Sequence, residues 1–253
     1  MPKLHNSEMV DAMAAYFPRR NEPNVAAGNV LSAFTNLPGL LGFWPMSVAM
    51  GGNVRDLSGV GHHLTVASGA ALGTAGLAPI VSMDGVSGRL FRQSTSSLQP
   101  SGLESYIDPS IRGVTFAGWF YVHAHGSVNT ILLGKYDVAP NLGWTLYANT
   151  PTSHRFRVAV SGNGTSAVST PGTALPDYAL DTWYFVVGRF KPGTELRLWM
   201  NTATEAITAS IPASLYANVA NLCVGSLGPG GNYLNGSASL CFLCAAALPD
   251  AIF

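Results

Sequence analysis

Charge is what this sequence has least of. Of its 253 residues 10% are charged, 13 Lys plus Arg against 13 Asp plus Glu, where soluble domains carry about 25%. A net charge of zero supplies no basic footprint for a phosphate backbone, so nucleic acid is not an expected partner. Mean hydropathy is +0.24, yet no run reaches the ~18 apolar residues that a membrane span needs, and no membrane partner is expected. Cysteine is scarce too: Cys223, Cys241 and Cys244 form an odd, late cluster and not a disulfide framework. Residues 1–20 hold no apolar segment of the kind that leads secretion. Together these predict synthesis in a reducing cytosol.

Paired carboxylates are missing as well. Glycoside hydrolysis needs two of them flanking the scissile bond, roughly 5–9.5 Å apart. The five glutamates, Glu8, Glu22, Glu104, Glu195 and Glu205, stand isolated. No serine or cysteine occupies a recognisable nucleophile setting. The chain is not expected to be an enzyme.

What is present is a rhythm of short apolar runs. From about Pro38 onward they alternate with a period of two and are punctuated by Gly, Pro, Asn and Ser. In 114–122, Val114, Phe116, Gly118, Phe120 and Val122 share one face. In 183–190, Trp183, Phe185 and Val187 oppose Tyr184, Val186 and Phe190. Leu196, Leu198 and Met200 oppose Arg197 and Trp199, and Phe156, Val158 and Val160 oppose Arg155 and Arg157. Many short strands with little helix between them predict antiparallel sheets packed face to face. Before them, residues 6–17 carry Val10, Met13 and Phe17 at helical spacing and end at Pro18. The expected organisation is therefore an arm, residues 1–37, with a short helix, followed by one all-β sandwich, residues 38–253. A helix so short needs a surface to dock on.

The order of these pieces resembles a known family. Gly42-Phe43-Trp44-Pro45 precedes Asp56-Leu57-Ser58-Gly59-Val60-Gly61-His62-His63-Leu64, then Met83-Asp84-Gly85 and Val114-Thr115-Phe116-Ala117-Gly118-Trp119-Phe120. Leu133-Gly134-Lys135, Gly143-Trp144-Thr145-Leu146, Thr182-Trp183-Tyr184-Phe185-Val186-Val187, Leu196-Arg197-Leu198-Trp199-Met200-Asn201, Val224-Gly225 and Leu234-Asn235-Gly236 follow. From about Leu40 to Asp250 the chain resembles the laminin-G-like members of the concanavalin-A-like lectin/glucanase superfamily. The resemblance implies a two-sheet jelly roll. It also implies a Ca²⁺ site in which Asp56, Ser58 and the carbonyls around them are joined by groups near Asn235 and Ser239. An alternative is that Asp56 and Ser58 simply close an Asx-type turn with Gly59. Trp144 and Trp199 are the tryptophans free to stack on a sugar ring.

The chain departs from its relatives in 238–248. Where they carry an Ile-Asp-Glu-Val-Arg-like strand, Ala238, Ser239, Leu240, Cys241 and Phe242 stand here. A strand apolar on both faces must be covered twice, by the arm or by another subunit. Leu240 and Phe242, with Val10, Met13 and Phe17, are thus the expected interface residues. Few charges point the same way, because a sparsely charged surface invites association. The leading expectation is a non-catalytic homo-oligomeric subunit that also contacts other shell proteins, made in the host cytoplasm and carried in a bacteriophage virion as a capsid decoration or fibre component. The alternative is a glycan-binding lectin or adhesion module.

Overall fold

The computed structural model describes residues 34, 37–47, 49–76, 78–93, 113–126, 128–149, 153–228 and 231–253. The expected helix and its residues Val10, Met13 and Phe17 lie outside them. Among the described residues the chain is all-β apart from a 3-10 turn at Asp250–Ile252 and Phe34, which is helical.

Two antiparallel sheets make up the molecule. The first runs β15 (Ala203–Ile207), β14 (Glu195–Met200), β13 (Trp183–Lys191), β8 (Val114–Ala124), β17 (Asn235–Cys244), β6 (Ala78–Asp84) and β5 (Ala70–Ala75), and β1 (Leu40–Trp44) also pairs with β17. The second runs β12 (Val168–Ser169), β11 (Arg155–Val160), β10 (Trp144–Asn149), β9 (Thr130–Lys135), β16 (Leu222–Val224), β7 (Leu90–Arg92), β4 (Leu64–Val66), β3 (Asn53–Val54) and β2 (Ala49–Met50). The alternation seen in the sequence sets which face of each strand turns inward. Phe116, Phe120, Val186, Phe190 and Leu198 of the first sheet meet Leu132, Leu146, Phe156 and Val158 of the second in one buried core. Trp144 lies in that core, 1% exposed, with its ring 4.4 Å from that of Phe116.

The first sheet is also covered on its outer face, and a β-bulge makes this possible. Ser239 pairs with Trp119 and Phe242 with Ala117, so Leu240 and Cys241 together oppose Gly118. Leu240 takes a left-handed φ of 44°, an unusual conformation for a branched residue. The extra residue shifts the phase of the strand. Cys241 joins the inner core, while Leu240, Phe242 and Cys244 join a second apolar layer with Phe43, Ala117, Phe185 and Val187. Gly118 is required opposite: a Cβ there would meet Cys241 Sγ at 2.8 Å.

The chain itself supplies the cover of this second layer. Phe34 stacks on Phe43 at 5.1 Å and lies against Phe242 at 5.5 Å. Leu37, Ala246, Leu248 and Ile252 fill the remainder. Leu240 and Phe242 are each 1% exposed within a single copy. Of the two covers expected, the arm or another subunit, the arm side supplies part of this one. Residues 34 and 37, on the arm side of the expected boundary, share it with the C-terminal segment.

Burial of titratable groups sets a pH dependence. Burial pushes the thiols of Cys241 and Cys244 up, and that of Cys223 up to about 11. Lys135, 1% exposed, donates from Nζ to Asn218 O, Asn218 Oδ1 and Ala220 O, and burial pulls it down to about 8. A thiol whose folded pKa is raised favours folding below its unfolded value and loses that advantage as pH rises above it. A lysine whose folded pKa is lowered acts oppositely between about 8 and 10.5. Three thiols outweigh one ammonium, so the melting temperature is expected to fall as pH rises from about 9. Thermal melts across that range check this, and Cys244→Ala should flatten the slope. An unchanged slope in that variant would remove buried thiols as the cause.

Candidate functional site

Asp56 sits at the head of a tight loop and is 4% exposed. Its Oδ1 accepts the Phe43 N–H at 2.9 Å and the Ser58 N–H at 2.8 Å. Its Oδ2 accepts the Ser58 hydroxyl at 2.8 Å and the His62 N–H at 2.7 Å. Both oxygens are saturated by donors, which is an Asx-type turn and not a cation cradle. Through Phe43, Asp56 stands level with Phe242. Ser239 lies three residues along β17 and Asn235 seven, or ~10 and ~23 Å at strand rise. Ser239 Oγ donates to Pro79 O at 2.7 Å, and Asn235 faces Asp84 in the ladder. Asp56 and Ser58 are brought together, Asn235 and Ser239 are not, and the four do not fit a Ca²⁺ ion. Among the described residues no other group of three His, Cys, Asp or Glu is placed to hold a metal.

Neither tryptophan expected at a sugar site presents a free face. Trp144 is in the core. Trp199 is 5% exposed on the outer face of the first sheet, with Arg189 and Arg197 4.8 and 5.5 Å from its ring centre and the Phe253 ring at 5.1 Å. The two glutamates among the described residues have structural partners: Glu195 binds Arg189 and Arg197, and Glu205 accepts the Thr173 N–H at 3.1 Å.

A different cluster lies at one end of the sandwich, where β8 stops and β13 begins. The turn before β13 is fastened by Asp181 N–H donating to Val122 O at 2.9 Å, and Tyr178 N–H donates to His154 O at 2.7 Å. Asp181 holds a left-handed φ of 55°, which Asp tolerates better than most residues. Its Oδ1 accepts the Tyr121 hydroxyl at 2.8 Å and contacts His123 Nδ1 at 2.7 Å. Hydrogen bonds from His123 and Tyr121 hold the Asp181 carboxyl below its usual range. The His123 and Asp181 side chains stay 64% and 54% exposed.

Beside them His125 and His154 stack at 3.6 Å and 9°, and His125 Nδ1 meets the Tyr178 hydroxyl at 3.1 Å. Burial and the neighbouring His154 lower the His125 pKa. Tyr178, stacked on Phe156 at 4.6 Å, is pushed up to about 12 by burial. Arg155 Nε bonds Asp177 Oδ1 at 2.8 Å. His123 and His125, one residue apart in the sequence, are thus engaged by different partners and do not converge on a metal. The cluster combines exposed acceptors and donors with flat aromatic rings and contains no nucleophile activated by a base. Its partners are more than 50 positions apart in the sequence, so no local pattern brings Asp181 to His123 and Tyr121.

No model of a protein family matches the chain, and no curated protein matches it. Solved structures do resemble it. The binding domain of Paraclostridial Mosquitocidal Protein 1 matches with a TM-score of 0.61 at 11% identity, over 83% of this chain and 50% of that one. The receptor binding domain of botulinum neurotoxin C/D mosaic serotype matches at 0.62 and 8% identity, over 83% and 49%. The botulinum neurotoxin serotype D ligand binding domain, solved in complex with N-acetylneuraminic acid, matches at 0.61 and 10% identity, over 85% and 49%. The chain spans about half the length of these structures. What it shares with them is a β-rich, two-sheet fold.

Proposed function

We propose that this chain is a non-catalytic recognition module, a jelly roll of the lectin type, that binds a glycan at the Tyr121–His123–Asp181 end of the sandwich. The observation that carries the reading is the Asp181 carboxylate. It is oriented by two side-chain hydrogen bonds on Oδ1, held in a left-handed turn and left more than half exposed. A carboxylate fixed in this way accepts sugar hydroxyls without reorganising, and the stacked, part-exposed His125–His154 pair lies where the chain leaves β8 just past His123. Fold likeness to receptor-binding domains, one of them solved with a sialic acid, supports recognition as the role, although fold by itself does not assign function. The reading as a virion subunit leaned on the low charge, the absence of a secretion-type start and a strand apolar on both faces that the arm or another subunit would cover. With that cover supplied in the chain, recognition is the stronger reading.

A glycan array on the purified chain is the test, repeated with Asp181→Asn, which keeps the turn preference and removes the charge. Loss of a charge-assisted hydrogen bond predicts binding weakened roughly 10- to 100-fold with an unchanged melting temperature. An array with no hits, or hits that survive Asp181→Asn undiminished, sinks this site.

A further inference from the structure

Sheet edges expose unpaired backbone groups, and soluble proteins blunt them with shortness, charge, proline or bulges. The two sheets end in five edge strands among the described residues. β1, which pairs only with β17, is largely buried, and its Phe43 N–H donates to Asp56. β2 and β12 are two residues each. β15 carries Glu205, which is tied to the 173–174 segment through the backbone N–H groups of Thr173 and Ala174. β5 is different. It is six residues long, Ala-Ala-Leu-Gly-Thr-Ala, and has no charge, no proline and an unbroken register with β6. Ala71, Gly73 and Thr74 are exposed, and among the described residues no strand pairs with its outer edge.

The ladder fixes which groups point outward. Asp84 N–H donates to Gly69 O. By antiparallel alternation, Ala71, Gly73 and Ala75 then bond toward β6, while Leu72 and Thr74 direct N–H and C=O away from it. Pro79, which has no N–H, stands opposite Thr74 in this register, as the alternation requires.

We infer that the open edge of β5 is a self-association surface on which a second copy of the chain lays its own β5, antiparallel, about a two-fold axis at Gly73. In this arrangement Leu72 of each copy exchanges both backbone hydrogen bonds with Thr74 of the other. Gly73 faces Gly73 at the non-hydrogen-bonded position, where Cα atoms approach to about 4.5 Å. Glycine inside a strand marks such close approach of another backbone. A Cβ at Gly73 meets nothing within 4 Å in the single copy, so no intramolecular packing explains the residue. A second copy is the fitting occupant because an isologous contact is self-complementary. Neither edge carries a charge to repel the other, and the net charge of the chain is zero.

The decisive experiment is cross-linking by register. The three native cysteines are buried, so an added thiol is the reactive one. Gly73→Cys places two thiols across the axis within disulfide reach and is expected to give a covalent dimer on mild oxidation. Ala71→Cys sets its two thiols ~13 Å apart and is expected to stay monomeric on a non-reducing gel. Gly73→Glu should raise the dimer dissociation constant by about a hundredfold or more through like-charge contact, read by sedimentation, with an unchanged melting temperature. A wild-type chain that sediments as a monomer throughout the micromolar range overturns the inference. So does cross-linking of Ala71→Cys as readily as Gly73→Cys, or a dimer indifferent to Gly73→Glu.

Discussion

Phe242→Glu is expected to unfold the single chain and not merely to alter its association. Phe242 is 1% exposed between the inner sheet and the residues that close the outer layer, with the Phe34 ring at 5.5 Å. Removing the ring costs about 3–5 kcal/mol. Placing a carboxylate there adds the cost of burying an unpaired polar group. The sum reaches the whole stability of many domains, about 5–15 kcal/mol. Urea unfolding and circular dichroism should find the variant largely unfolded, with Leu240→Glu close behind it. A folded Phe242→Glu chain with a wild-type melting temperature would mean that the outer layer is open to solvent, and the original expectation of a subunit contact on β17 would return.

Arg189→Ala should be nearly as damaging, for an electrostatic reason. Arg189 is 1% exposed on the outer face of the first sheet. It donates to Glu195 Oε1 at 2.6 Å, to Leu248 O at 2.7 Å and to Asp250, and it lies over the Trp199 ring. Arg197 completes the network by bonding Glu195 Oε2 at 2.5 Å and Asp250 Oδ2 at 2.9 Å. Truncation leaves Glu195 buried beside one guanidinium instead of two and unties the C-terminal segment that covers Trp199. Breaking a buried pair by removing one partner costs about 3–5 kcal/mol. Arg189→Lys should recover little, because an ammonium lacks the fork that reaches several acceptors at once. Arg189→Met combined with Glu195→Met should recover most of the loss, since an apolar replacement of both partners is often neutral. A loss below about 1 kcal/mol in Arg189→Ala, the level of an exposed pair, would show that the network is solvated.

Both predictions concern the face of the first sheet that the sequence described incompletely. Alternation in 114–122, 183–190 and 195–200 was legible, because a period of two assigns side chains to faces with no knowledge of partners. It set Phe185 and Val187 opposite Val186 and Phe190, and Leu198 opposite Trp199, and the structure puts Val186, Phe190 and Leu198 in the inner core and Phe185, Val187 and Trp199 in the outer layer. The opposite faces of Cys241 and Cys244 follow from their offset of three in the same way. The double cover of 238–248 was also legible, from composition alone. The identity of that cover was not.

Trp199 and Trp144 show the limit of the same reasoning. A tryptophan facing outward from its sheet reads as a free platform, yet Phe253 and two arginines close over Trp199. Trp144 belongs to the inner face of β10, where it meets Phe116 of the opposite sheet. The Asp56 loop followed the local turn chemistry of Asp and Ser, whereas Asn235 and Ser239 needed strand register to be placed, and the register separates them.

The sequence by itself determined the all-β class, the two antiparallel sheets and the alternating core, because strand formation and side-chain facing depend on neighbours a few positions away. Only the tertiary structure decided that Phe34, Leu37 and the C-terminal segment close the outer layer, that the bulge at Leu240 shifts β17 into that layer, and that Asp181 meets Tyr121 and His123. Those contacts join residues far apart in the chain. Their formation depends on sheet order and register, which are set by the packing of the whole molecule and leave no periodic trace in any one segment.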